Sequence, residues 1–209
     1  MKDQIEQTIQ RTRRYWNIDG LPEFGFGLIC LLLGAYFLVQ SMVETDSLLY
    51  QVLNVFFILI VVGGSLISNR LVSYLKSKYT YPRTGYVAYR QPPRYRRLVL
   101  ALVAGLIASL LVGILYFTEM RNFWMPVITA VVVAVVFTFV ANQGYAPRYY
   151  FLALCSLGLG TIAALAGLRD MLGLALYYGG MGVVQAVIGV IVFRNFLTVN
   201  SLAEEDEES

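Results

Sequence analysis

Six apolar runs, each about as long as a bilayer is thick, constrain this chain more than any other feature. They are Phe24–Met42, Leu48–Ser68, Leu98–Phe117, Phe123–Ala141, Tyr149–Leu168 and Met171–Phe193. A helix crossing the hydrocarbon core needs roughly 20 predominantly apolar residues. In lipid every backbone amide and carbonyl must be paired inside the protein, so runs of this kind are helices. Composition agrees. Hydrophobic residues make up 58% of the chain and charged residues 14%, whereas soluble domains carry about a quarter charged. The expected fold is an all-α integral membrane protein, a six-transmembrane-helix bundle. The first run lies too far into the chain for a cleavable signal, is about full spanning length, and is followed by no small-residue cleavage site.

The basic residues orient the bundle. Of the 16 Lys and Arg, 14 fall in the segment before the first run, in the loop after the second, and at Arg148 and Arg194. Only Arg121 and Arg169 fall on the other side. Short basic loops stay cytoplasmic, so both termini are expected inside, in a plasma (inner) membrane. The outer connections Val43–Ser47, Thr118–Asn122 and Arg169–Asp170 are short, which forces antiparallel hairpins. The chain thus divides into an interfacial segment 1–23, a two-span hairpin 24–68, a loop 69–97, four spans 98–193 and a tail 194–209.

Within residues 1–23, Ile5, Ile9 and Trp16 recur at helical spacing with Arg11, Arg13 and Arg14 between them. That pattern suits an N-terminal interfacial amphipathic helix anchored by Tyr15 and Trp16. A solvated helical tail is the simpler alternative. The tail ends in five consecutive acids, Glu204 to Glu208. Such a block is normally solvated and self-repelling, and a contact with the basic loop is the alternative.

No Asp, Glu, Lys or Arg lies deep in any run. Intramembrane ionisable groups usually mark proton relays and ion paths, so a proton-coupled pump is disfavoured. Asn54 and Gln185 are the central polar residues. Each is expected to hydrogen-bond across helices for roughly 1 kcal/mol, with a substrate contact as the alternative. The third run carries Ala101, Gly105, Ser109 and Gly113, four apart, on one helix face. Small residues at that spacing let helix backbones approach closely. Similar sets are Ala130, Ala134 and Thr138, then Ser156, Gly160 and Ala164, then Ala175 and Gly179 with Gly182 and Ala186.

The loop Asn69–Arg97 has internal order. Leu71–Lys78 suits an amphipathic continuation of the second run. Pro82 disfavours helix at Tyr81, and Gln91-Pro92-Pro93 reads as polyproline. Arg70, Lys76, Lys78, Arg83, Arg90, Arg94, Arg96 and Arg97 are interleaved with six tyrosines and no acid. Beside a membrane this composition suits anionic headgroups at the inner leaflet. A protein partner or a second copy of the chain is the alternative, and nucleic acid is not expected. The words Ile18-Asp-Gly-Leu21 and Thr80-Tyr-Pro-Arg-Thr-Gly-Tyr-Val87 resemble small bacterial polytopic membrane proteins without an assigned activity. The resemblance implies a prokaryotic plasma membrane and carries over no catalytic residue.

The chain has no histidine, and Cys30 and Cys155 sit in apolar runs. Metal sites and general-base catalysis usually recruit histidine or clustered cysteine, so no cofactor is expected. The leading expectation is a non-enzymatic accessory or scaffold protein whose basic loop contacts lipid or a partner. A small-solute transporter or channel would place Asn54 and Gln185 along one path. An inner-face enzyme would join Asp19 and Glu23, expected to pair with Arg83 or Arg97, in one cleft.

Overall fold

The computed structural model describes residues 18–44, 46–84, 121–142, 146–168 and 170–200. They form α1 (Leu21–Ser41), α2 (Leu48–Leu75), a π-helical turn (Lys76–Thr80), α3 (Tyr81–Thr84), α4 (Arg121–Asn142), α5 (Arg148–Leu165) and α6 (Asp170–Val199). Among the described residues, five helical stretches are long and apolar enough to cross a membrane. The run Leu98–Phe117 with its Ala101, Gly105, Ser109 and Gly113 face lies outside the described residues. So do the segment 1–17 and Arg90, Arg94, Arg96 and Arg97.

α6 is the axis of the bundle, in contact with α1, α4 and α5. Its contact with α1 is the closest, and glycine makes it so. A Cβ on Gly34 would lie 2.6 Å from the Gly179 amide nitrogen, and one on Gly27 would lie 2.7 Å from that of Ala186. Only backbones without side chains at these positions can meet so closely. On the opposite flank, Ala130, Ala134 and Phe137 of α4 pack with Leu152 and Ala153 of α5 and Tyr177 and Met181 of α6. Ser156 fastens this core. Its hydroxyl donates to the Ala130 carbonyl at 2.9 Å and lies 2.7 Å from the Tyr177 hydroxyl.

α1 begins sharply. Gly20 caps it at φ 70°, a left-handed backbone that glycine adopts without strain, and Pro22 occupies its first turn. α2 begins at Ser47, whose hydroxyl accepts from the Tyr50 amide at 3.2 Å, an ordinary N-cap. No residue of α2 is buried, and Val55, Phe56, Ile58, Leu59 and Val62 are exposed apolar residues. In water such a face would drive association. Against hydrocarbon it needs no protein cover.

The helical run from Leu48 to Arg83 is longer than the sequence pattern implies. At 36 residues it rises about 54 Å, against a hydrocarbon core of ~30 Å. The expected continuation through Leu71–Lys78 is present, and it does not stop at Pro82. Tyr81 is helical, contrary to expectation. The cause is local: the ladder widens to a π turn at Lys76–Thr80, and Pro82 falls in the first turn of α3, where its missing N–H is tolerated.

Candidate functional site

Two buried acids mark the end of the bundle where α1 begins. Asp19 precedes α1, and the turn at Gly20 folds its carboxylate back over the helix start. The Leu21 amide donates to Oδ1 at 3.2 Å. The Thr80 hydroxyl donates to Oδ2 at 3.1 Å. Lys76 Nζ stands 3.5 Å from the same oxygen. Lys76 and Thr80 are four residues apart and share one side of their helix, so both reach Asp19. Asp19 is 1% exposed and Lys76 3%. Burial pushes the Asp19 carboxyl above the usual carboxylate range, and the Lys76 ammonium, the Leu21 amide and the Thr80 hydroxyl pull it back.

Glu23, in the first turn of α1, is held by Arg148 at the start of α5. Arg148 Nε donates to Glu23 Oε1 at 2.8 Å, and Nη2 lies 2.7 Å from the same oxygen. The two pairs tie the start of α1 to the end of α2 and the start of α5.

These partners correct two expectations. Asp19 and Glu23 do not pair with Arg83, whose Nη1 donates instead to the Tyr79 carbonyl at 3.1 Å. Arg97 lies outside the described residues. Lys76, expected at a lipid headgroup, is buried against Asp19 instead, because its side of the helix faces the start of α1. Among the other described loop cations, Arg70 is exposed, and exposed Lys78 stands 5.4 Å from the centre of the Tyr79 ring.

Chiefly between α1, α2 and α6, with Val133 of α4 and Tyr81 of α3 at its edges, lies a cleft of about 680 Å³, within the usual range for small-molecule sites. Phe26, Ile29 and Leu33 of α1 and Tyr177 and Met181 of α6 line it. α2 contributes Phe57 and Val61, then Ser65, Ser68, Asn69, Val72 and Ser73, and the π turn adds Lys76. Gln185, 1% exposed, is part of this wall, and its Nε2 has no hydrogen-bond partner. Asn54 is elsewhere. It accepts a hydrogen bond from Gln40 Nε2 at 3.0 Å, linking α1 to α2 toward their other ends. The two polar residues singled out from the sequence therefore serve different places.

Gln40, Thr80 and Arg148 are the site residues that sequence reasoning did not single out. Gln40 is buried near the end of its run. Arg148 had a signal: it is the basic residue at the head of the fifth run, with no nearby acid. The chain matches no protein-family model, no curated protein and no solved structure.

Proposed function

We propose that this chain is a non-enzymatic, multi-pass accessory or scaffold protein of a plasma membrane, with six spans and both termini cytoplasmic. In this reading segment 1–23 includes an interfacial helix, and the loop 69–97 rests on anionic headgroups of the inner leaflet or on a protein partner. The observation that carries the reading is the capture of Lys76 and Thr80 by Asp19. It fixes the first part of the basic loop to the bundle, so the cations that follow leave from a set position. A platform at a membrane surface needs that property. Headgroup attraction of about 1 kcal/mol per basic residue then acts on a loop whose ordering is already partly done.

The alternatives have less behind them. An inner-face enzyme would need its acids free to move protons, yet Asp19 and Glu23 each face a cation. A solute path through Asn54 and Gln185 would need both in one cavity, and Gln40 holds Asn54 away from the cleft. Reporter fusions test the topology. Fusions after Asp46, Glu119 and Asp170 should read external, and fusions near Tyr86 and Ser209 internal. An external signal at Tyr86 would reverse the orientation and remove the platform.

A further inference from the structure

The cleft between α1, α2 and α6 has a polarity gradient along its length. From Phe57 to Lys76 its α2 wall rises about 28 Å, close to the ~30 Å thickness of a hydrocarbon core. The upper part, at Phe57 and Val61, is apolar. From Ser65 onward it is mostly polar, with Ser68, Asn69, Ser73 and Lys76 around Val72, and Tyr81 follows at the lower end. Gln185 stands near the change-over. Gly27 of α1 meets Ala186, Gly25 meets Ser68, and Ile29 meets Gly64, so Gln185 is near the level at which the α2 wall turns from valine to serine. A buried amide donor without an acceptor is costly, and here it borders a space large enough for a ligand. Replacing it by an apolar side chain would be the simpler solution for a wall that only packed.

We propose that this cleft holds a phospholipid drawn inward from its level in the inner leaflet, with one acyl chain in the apolar part and an ester carbonyl accepting from Gln185 Nε2. The chain lies along Leu33, Phe57, Val61 and Tyr177, and the glycerol-phosphate end lies toward Ser73 and Lys76. Lys76 is compensated by Asp19, so the cleft does not select a charged head. Zwitterionic lipid enters as well as anionic lipid, in contrast to the basic loop. The proposal rests on the membrane reading, and the outward face of α2 supplies the control that separates the two.

The full-length protein is placed in phosphatidylcholine nanodiscs doped with phosphatidylcholine bearing a diazirine on one acyl chain. After irradiation, adducts are mapped by mass spectrometry. Adducts at Leu33, Phe57 and Tyr177 should exceed those at outward Val55, Ile58 and Val62 severalfold. Gln185→Met keeps the bulk and removes the donor. It should lower the cleft adducts about fivefold, the worth of one neutral hydrogen bond, and leave the outward adducts and the melting temperature unchanged or raised. Val61→Trp, which fills the cleft, should abolish the cleft adducts alone. Cleft adducts no richer than outward ones, or indifferent to both substitutions, overturn the proposal while the membrane reading stands. Adducts on neither face overturn the membrane reading and the proposal with it.

Discussion

Lys76 and Asp19 meet at 3.5 Å, both buried, although one lies late in the helical run Leu48–Arg83 and the other precedes α1. Two charges out of water attract strongly, but each has lost its hydration. Removing one partner leaves the other uncompensated. Lys76→Met should therefore destabilise the protein by about 3 kcal/mol or more, and Asp19→Asn combined with Lys76→Met should recover much of that loss. Denaturation in detergent of both singles and the double measures the coupling.

The same pair sets a pH dependence. The folded Asp19 carboxyl sits above its ordinary value because burial disfavours its charge. The folded state thus holds this proton more tightly than the unfolded chain does. Its contribution is fully present below the ordinary carboxylate value and declines as pH rises through the raised one. Denaturation midpoints of the wild type and Asp19→Asn, compared across that window, should differ in slope. Asp19→Asn should lose the part of the slope that favours acid.

Glu23 depends on the shape of its partner. Two guanidinium nitrogens of Arg148 reach one carboxylate oxygen at 2.7 and 2.8 Å. A lysine offers a point charge without that fork. Arg148→Lys should cost about 1–2 kcal/mol, and Arg148→Ala about 3–5 kcal/mol, because a buried carboxylate is then left alone. Thermal melts of the two variants should rank in that order.

Much of the architecture was legible because hydrophobic length is a local property. Five of the six runs coincide with helices to within a few residues at most boundaries. The ends of α2 and α6 run further, since Leu71, Tyr74 and Leu75 on one and Phe196 and Leu197 on the other extend the pattern past the polar residues. The site was hardly legible. Thr80 lies 61 residues from Asp19, and Arg148 lies 125 residues from Glu23, and nothing in one sequence pairs positions so far apart. That Lys76 faces inward is equally invisible, because it depends on the start of α1 packing beside it. Gln185 was visible as an isolated polar residue, but its unpartnered amide required the neighbouring helices.

Glycines divide by what surrounds them. Gly34→Leu on α1 drives a side chain into the Gly179 backbone. It should cost at least the 1–3 kcal/mol typical of overpacking. A Cβ on Gly63 of α2 meets nothing within 4 Å, so Gly63→Ala should be neutral or stabilising by up to about 1 kcal/mol. Equal melting of the two variants would mean that α1 and α6 are not in close contact.

The platform reading is tested most directly by trypsin cleavage of the loop 69–97 in nanodiscs of neutral or anionic lipid. Headgroup attraction is electrostatic and is screened beyond about 8 Å at physiological ionic strength. Cleavage at Arg90, Arg94, Arg96 and Arg97 should slow when anionic lipid is present and recover as salt is raised, while Lys76 stays protected in both lipids. Identical cleavage of the loop in neutral and anionic discs at low salt would contradict the account.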